Sequence, residues 1–153
     1  MEDLQEIADV LGVIYQDDCK AEKLTLYPAE LPNSIDFEDI IERIEANDPT
    51  LTEVTLNNVK NLHSNQWLRL FTALEHSNTV LETLHAANCD LKDIEANMIV
   101  KALAKNSTLH KLNLDSNLFS AKSVVNFLKA IASSESLKEI RLNNQVSTMK
   151  ADF

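Results

Sequence analysis

The chain has 153 residues, 44% of them apolar, which is enough to fill the core of one ordinary domain. Its only glycine is Gly12, so Gly-rich phosphate-binding loops are excluded. There are 14 basic and 24 acidic residues, a formal charge of −10, and no block of Lys or Arg. We therefore expect neither a nucleic-acid partner nor attachment to an anionic membrane.

The first predicted element is an amphipathic helix over residues 3–14. Its apolar residues at helical spacing are Leu4, Ile7, Ala8 and Leu11. Two roles stay open for it, namely capping the first structural repeat or binding a partner as a recognition helix. Residues 1–6 do not show the basic flank and apolar run that are typical of a secretory signal, so we expect none. No stretch reaches the roughly 18 apolar residues of a membrane span. We expect a reducing, cytoplasmic environment in which Cys19 and Cys89 are free thiols.

A repeat of the form L-x-x-L-x-L begins four times, with intervals of 30, 28 and 28 residues between its starts. Its residues at relative positions 1, 4 and 6 are Leu51, Val54 and Leu56, then Leu81, Leu84 and Ala86, then Leu109, Leu112 and Leu114, then Leu137, Ile140 and Leu142. This is the strand pattern of leucine-rich repeats, and the interval leaves room for a helix after each strand. A degraded copy at Ala21, Leu24, Leu26 and Ala29 is expected to cap the N-terminal end, because terminal repeats are atypical.

Relative position 9 of the repeat is the place where each strand turns toward its helix. Its occupants are Val59, Cys89, Asn117 and Gln145. A buried Asn at this position can satisfy backbone groups that the bend leaves unpaired. Asn117 fits this rule and Cys89 is an accepted variant, expected to be buried, whereas Val59 and Gln145 depart from it.

The segments between the strands carry apolar residues at helical spacing, and these faces are predicted to pack on the sheet. They are Phe37, Ile40, Ile41 and Ile44, then Trp67, Leu70, Phe71 and Leu74, then Met98, Ile99, Ala102 and Leu103, then Val124, Phe127, Leu128 and Ile131. The predicted N-caps are Asp36, Ser64 and Ser120, and the predicted helix exits are Asn47, Asn78 and Asn106.

The fold class predicted from these elements is α/β. It is a right-handed leucine-rich-repeat solenoid of about four to five strand-helix repeats, with a parallel sheet on the concave face and helices on the convex face. We assign residues 1–153 to a single leucine-rich-repeat domain. It has an N-terminal cap region over residues 1–34, repeats over residues 35–146 and a tail over residues 147–153.

Two polar surfaces follow from this arrangement. Relative positions 3 and 5 point to the concave face, because alternate residues of a strand face opposite sides. They are occupied by Glu53, Thr83, Lys111 and Glu139, and by Thr55, His85, Asn113 and Arg141. The second surface, which we call the loop ridge, is formed by the loops that follow the strands. It comprises Asn57, Asn58, Lys60 and Asn61, then Asn88 and Asp90, then Asp115 and Ser116, then Asn143 and Asn144. These ridge residues and Arg141 are the candidate partner-binding site.

Signals of catalysis are absent from the sequence. The histidines, His63, His76, His85 and His110, are scattered and form no H-E-x-x-H pattern, and G-x-S-x-G does not occur. Two unpaired cysteines do not make a zinc site. We therefore predict no catalytic residue, no metal ligand and no cofactor, and expect a protein that works by binding another protein.

Several of these stretches resemble the tropomodulin family. They are Ile41-Glu42-Arg43-Ile44, Asn47-Asp48-Pro49, Asn57-Asn58, Lys105-Asn106-Ser107, Leu112-Asn113-Leu114 and Asn144-Gln145. The similarity covers residues 35–146 and implies a leucine-rich-repeat domain that binds or caps the pointed ends of actin filaments in the cytoskeleton. Since the resemblance implies an acidic partner, exposed cations are needed locally, and Lys60, Lys92 and Arg141 are the candidates. The alternative is a generic protein-interaction scaffold, similar to GTPase regulators or inhibitor proteins, that uses the concave face.

The chain departs from the family pattern at both ends. Only residues 1–32 precede the similar region, so tropomyosin binding is not implied. After Asn144-Gln145 the family continues with a further helix, strand and helix, whereas this chain stops at Phe153. If the tail does not cover the last repeat, we expect weak stability or association through that repeat. Otherwise we expect a monomer.

Overall fold

The structure is a computed structural model that describes residue 31, residues 33–76 and residues 80–146. Helices and strands alternate along this part of the chain. The elements are α1 (Phe37–Glu45), β1 (Glu53–Thr55), α2 (Ser64–His76), β2 (Thr83–His85), α3 (Asp93–Leu103), β3 (Lys111–Asn113), α4 (Ala121–Ser133) and β4 (Glu139–Arg141). The predicted helix over residues 3–14, the degraded repeat at Ala21, the helix exit at Asn78 and the tail lie outside the described residues.

The strands β1 to β4 form one parallel sheet in chain order. Glu53, Thr83, Lys111 and Glu139 are successive Cα partners, so the strands are offset by 30, 28 and 28 residues, as the repeat predicts. A parallel pair needs a crossover connection, and here each crossover is a helix. The predicted strand-helix solenoid and its register are confirmed.

The repeat leucines fill the core between sheet and helices. At relative position 4, Val54, Leu84 and Leu112 are buried between two outward-facing neighbours of the same strand. The buried residues at positions 1 and 6 are Leu51, Leu56, Leu81, Ala86, Leu109, Leu114 and Leu137. Each fully buried leucine contributes about 1.5 to 3 kcal/mol, so strands of three residues are held by their packing more than by their own hydrogen bonds.

The helix α1 has the face and the ends that the sequence predicts. Its four predicted inward residues are all buried. Asp36 caps it by accepting hydrogen bonds from the N–H groups of Glu38 and Asp39. At the other end Asn47 has φ 51°, and the N–H of Asp48 donates to the carbonyl of Arg43, which is the Schellman arrangement. The predicted helix exit at Asn47 is therefore confirmed.

The prediction for the last helix is wrong at Leu128, which is 56% exposed. Phe127 is fully buried and packs edge to face against Phe119, with ring centroids 5.1 Å apart. Successive residues of an α-helix differ in direction by about 100°, and here Phe127 points to the core while Leu128 points to solvent. Val124 and Ile131 are partly buried and pack against the same core.

The prediction that Ser64 caps α2 is also wrong, since α2 begins at Ser64 itself. The Ser64 hydroxyl donates instead to the buried carboxylate of Glu95 in α3, at 2.6 Å. A matching bond joins the next two helices, because the Ser123 hydroxyl donates to Asp93 at 2.6 Å. Ser120 is an N-cap, as predicted, and accepts from the Ser123 N–H. At these helix starts Ser64 and Ser123 therefore join neighbouring helices, whereas Ser120 caps α4.

The fourth repeat is less deeply buried than the others. Leu137 is buried, but Ile140 and Leu142 are only partly buried and Val146 is 60% exposed. Within the described residues, β3 is the only strand that pairs with β4. Association through this repeat stays a prediction.

The loop after α1 holds an acid with a strongly altered pKa. The Asp48 carboxylate accepts hydrogen bonds from the Thr50 hydroxyl at 2.7 Å, from the Thr50 N–H at 2.9 Å and from the Arg43 guanidinium at 2.7 Å. The bonds from Thr50, followed by the one from Arg43, lower the pKa of Asp48 from 3.8 to about 2. The ionised form is therefore favoured in the folded protein.

We predict that this loop makes the stability sensitive to acid. The folded pKa is below the unfolded one, so the contribution of Asp48 is complete above about pH 5 and is lost as the pH falls toward about 2. The unfolding free energies of wild type and Asp48→Asn should differ by a constant amount above about pH 5 and converge below about pH 4. Urea denaturation across this range checks it, and a difference that stays constant down to about pH 2 would contradict it.

Candidate functional site

The four loops of the ridge share one backbone geometry. At relative position 8, φ is 65° in Asn58, 55° in Asn88, 57° in Ser116 and 54° in Asn144. This left-handed region favours glycine, and among other residues Asn is enriched there because its short side chain hydrogen-bonds locally. In a chain with one glycine, Asn adopts this conformation in three of the four loops and Ser116 in the other. Part of the Asn content of the ridge therefore reflects the backbone rather than a partner.

Several predicted ridge residues hold neighbouring loops together. The Asn57 side chain accepts from the Ala87 N–H at 2.8 Å, and Asp115 accepts from the Asn143 N–H at 2.7 Å. The Asn88 amide donates to the Asn58 side chain at 2.8 Å. The four side chains that make these bonds are only partly exposed. Asn57, Asn58, Asn88 and Asp115 therefore build the ridge as a rigid ladder between repeats.

Asn117 lies beneath the ridge and is fully buried. Its side-chain oxygen accepts from the N–H groups of Cys89 and Leu91, at 3.0 and 3.1 Å. Its NH₂ group donates to the carbonyls of Ala86 and Leu114, both at 2.9 Å. The predicted role of this Asn, to satisfy backbone groups left unpaired at the bend, is confirmed.

The other polar residues at position 9 make a corresponding bond. The Cys89 thiol donates to the carbonyl of Leu56 at 3.0 Å, and the Gln145 NH₂ group donates to that of Leu114 at 2.9 Å. Gln145 also accepts from the Phe119 N–H at 3.3 Å. The prediction that Gln145 departs from the rule is wrong, because its longer side chain reaches the same kinds of backbone group. Each of these residues thus bonds to position 6 of the preceding repeat.

We predict that the Cys89 thiol is unreactive in the folded protein. Burial raises its pKa to about 11, and the side chain is enclosed in the core. In a Cys19→Ser variant, which leaves Cys89 as the only thiol, labelling by a chromogenic disulfide at about pH 8 should be at least about 100-fold slower than in denaturant. Equal rates in the folded and unfolded chains would contradict the burial.

The outward groups of the ridge lie toward its two ends. At the end next to β1, the Lys60 ammonium donates hydrogen bonds to the side chains of Asn88, at 2.8 Å, and Asp90, at 2.7 Å. The Arg141 side chain, 56% exposed, lies at the last strand with its Nε 3.9 Å from the Asp115 carboxylate. The exposed ridge residues are Lys60, Asn61, Asp90, Asn143 and Asn144, whereas Asn57, Asn58, Asn88, Asp115 and Ser116 are partly buried.

The concave face shows the two predicted columns. Positions 3 and 5 point away from the core in every strand, on either side of the residue at position 4. Between β1 and β2, His85 Nε2 lies 3.2 Å from the Glu53 carboxylate. Lys111 and Arg141 are exposed on the last two strands. The face is therefore polar, with charges of both signs.

Metal-binding geometry is not found in the part of the chain that the structure describes, where no group of three His, Cys, Asp or Glu side chains is placed to hold an ion. In the same ranges, no helix is long and apolar enough to cross a membrane. The absence of catalytic residues and cofactors stays a prediction.

The repeated strand-helix unit, the parallel sheet and the buried position-9 side chains define a leucine-rich-repeat domain, a class that binds partners through its concave face and its loops. A family model described as "TMOD/LMOD Leucine-rich domain" matches residues 33–153. The chain therefore belongs to the family of tropomodulin and leiomodin leucine-rich domains, which confirms the resemblance to tropomodulins.

Individual relatives agree with this assignment. Human Leiomodin-2 is 33% identical over 120 residues, which are 78% of this chain and 21% of that protein. Human Tropomodulin-4 is 32% identical over 118 residues, 77% of this chain and 34% of that protein. The chain thus spans from about a fifth to a third of the length of these relatives.

Two solved structures share the fold. One is described as "Leiomodin-1 Actin-Binding Site 2" and has 34% identity and a TM-score of 0.67, covering 75% of this chain and 65% of that chain. The other is the tropomodulin C-terminal domain of Caenorhabditis elegans, with 26% identity and a TM-score of 0.67, covering 72% of this chain and 66% of that chain.

Proposed function

We propose that this chain is an actin-binding leucine-rich-repeat module that contacts actin through the loop ridge and acts at the pointed ends of filaments in the cytoskeleton. The observation that carries the proposal is the similarity, at 34% identity and a TM-score of 0.67, to a solved structure described as an actin-binding site. A cytoplasmic location and a role without catalysis belong to the same proposal.

The construction of the ridge supports it as the contact surface. Each of its loops has a positive φ at relative position 8. Neighbouring loops are joined by hydrogen bonds in which the side chains of Asn57 and Asp115 accept from N–H groups of the following loop. A surface that is ordered before binding loses little conformational freedom on association. Asn61, Asn143 and Asn144 are exposed on this ordered backbone and can exchange hydrogen bonds with a partner.

The charges of the ridge fit the acidic partner that the family resemblance implies. The chain as a whole carries −10, which opposes association with an acidic surface. Lys60 and Arg141 place positive charge at the two ends of the ridge, Lys60 beside Asp90. Lys92, the third predicted cation, is exposed at the start of α3. Such local complementarity sets orientation and association rate more than it sets affinity.

The wild-type chain should bind actin directly. We expect saturable binding to monomeric actin in a pull-down with immobilised chain, and to filamentous actin in a co-sedimentation assay. Serum albumin, also an acidic protein, serves as the control for charge-driven adsorption. No binding to either form of actin would remove the proposal.

The action at pointed ends is tested separately. Filaments capped at the other end by gelsolin elongate only from the pointed end, and pyrene fluorescence reports their growth. We expect the chain to slow this growth in a concentration-dependent way. Binding to actin without any slowing would leave an actin-binding module and reject the pointed-end role.

The alternative of a generic interaction scaffold is supported by the concave face, where Lys111 and Arg141 are exposed. Arg141 does not discriminate between the two functions, because it is the last residue of the concave-face strand β4 and also lies near Asp115 of the ridge. His85 and Lys111 lie on the concave face and are not ridge residues. Substitutions at these two positions therefore separate the scaffold from the actin-binding module.

A further inference from the structure

Hydrogen-bond donors lie together on the half of the concave face formed by β3 and β4. Lys111, Asn113 and Arg141 line one shallow depression, which is also lined by Glu53, His85 and Glu139. Asn113 and Arg141 are Cα partners, so their side chains leave neighbouring strands side by side. Lys111 lies two residues before Asn113 and therefore faces the same side of the sheet.

These donors are not matched by acceptors within the described residues. No ion pair there involves Lys111, and the ion pair of Arg141 to Asp115 is long, at 3.9 Å. The side-chain oxygen of Asn113 accepts from the Asp115 N–H at 3.0 Å. The NH₂ group of Asn113 is therefore the part of the amide left for a ligand.

On the other half of the concave face, formed by β1 and β2, the acidic and basic side chains pair with each other. There Glu53 and His85 pair with each other at 3.2 Å, so the acid and the base of β1 and β2 are already used. On β4 the single acid is Glu139, an exposed Cα partner of Lys111. The β3–β4 half thus combines two cations and an amide donor with Glu139 on β4 and with Asp115, which follows β3 and lies 3.9 Å from Arg141 Nε.

We infer that the β3–β4 half of the concave face binds carboxylate side chains of an acidic protein segment, with Lys111, Asn113 and Arg141 as the donors. The Arg141 guanidinium can hold a carboxylate by two parallel bonds, which a single ammonium cannot do. Lys111 and Arg141 are diagonal neighbours on β3 and β4, about 7 to 8 Å apart. An extended segment with an acid at every second residue presents its carboxylates at about this spacing, about 7 Å, on one side. Arg141 is shared with the proposed actin-binding surface, whereas Lys111 and Asn113 belong to this site alone, and the inference does not rest on the proposed function.

A short acidic peptide tests the site in the full chain. The probe is a peptide of alternating Ser and Glu, and its counterpart with Gln in place of Glu is the control. Titration into nitrogen-15-labelled protein should give saturable amide shifts at β3 and β4, and the Gln peptide should give none. Lys111→Gln with Arg141→Gln should weaken binding of the Glu peptide at least about tenfold.

Other exposed cations provide the matched variant. Lys122→Gln with Lys129→Gln changes the net charge by the same amount on α4, away from the sheet, and should leave the affinity within about twofold. Glu139→Gln should strengthen binding, because it removes an acid that lines the same depression and is the Cα partner of Lys111. Equal losses in the two double variants, shifts centred on the ridge, or no shifts with the Glu peptide would each overturn the inference.

Actin binding separates this inference from the proposed function. Lys111→Gln should leave the affinity for actin unchanged while it weakens the peptide. If wild type binds the peptide but not actin, the proposed function fails and the carboxylate site stands. If it binds actin but not the peptide, the carboxylate site fails alone.

Discussion

Replacing Asn117 by alanine is expected to lower the free energy of unfolding by about 3 to 5 kcal/mol. The side chain is fully buried and bonds to the N–H groups of Cys89 and Leu91 and to the carbonyls of Ala86 and Leu114. Alanine leaves these groups without a partner, and each unsatisfied buried group costs about 1 to 3 kcal/mol, reduced where water enters the gap. Urea denaturation followed by circular dichroism measures the change.

Two further variants isolate the role of the buried amide. Asn97→Ala removes an exposed Asn from the middle of α3 and should change the stability by less than about 0.5 kcal/mol. Asn117→Cys copies the residue of the second repeat, whose thiol bonds to a position-6 carbonyl, and should recover part of the loss. If Asn117→Ala unfolds at the same urea concentration as Asn97→Ala, the buried network does not stabilise the fold.

Leu112→Ala is the second substitution with a large expected effect, a loss of about 2 to 5 kcal/mol. Leu112 is 1% exposed, at the centre of β3, with Leu84 and Ile140 as its neighbours in register. Alanine leaves a cavity in a core that relaxes only in part. Thermal and urea unfolding should both shift, without a change of secondary structure below the transition.

Leu128→Ala is the matched control for Leu112→Ala, because it removes the same atoms from an exposed position on α4. We expect a change within about 0.5 kcal/mol. Equal effects of the two substitutions would refute the register of the sheet, which assigns Leu112 to the core and Leu128 to the surface.

The register of the sheet could be predicted from the sequence, because the same three repeat positions form the strand in every repeat. Equal positions of neighbouring repeats therefore pair. Val54, Leu84 and Leu112 needed only to be aligned to predict the pairing that the structure shows. The face of α4 was harder to predict. Leu128 and Phe127 both fit a helical apolar spacing, and only the packing around Phe119 decides which one is buried.

The binding surface could be predicted only in part. The sequence identified the ridge as a set of polar loops, but an exposed Asn and an Asn bonded to the next loop look alike in a sequence. Asn57 and Asn144 illustrate this, since the first accepts from the Ala87 N–H and the second is exposed. The equivalence of Gln145 and Asn117 was missed because it depends on the reach of a longer side chain.

The most direct test of the account is the affinity for monomeric actin of wild type and two double variants. Lys60→Gln with Asn144→Gly alters the exposed ridge, and glycine keeps the positive φ that Asn144 adopts. His85→Ala with Lys111→Ala alters the concave face. We predict that the ridge variant binds at least about tenfold more weakly and that the concave-face variant binds within about twofold of wild type. The reverse order, with actin lost only by the concave-face variant, would contradict the account.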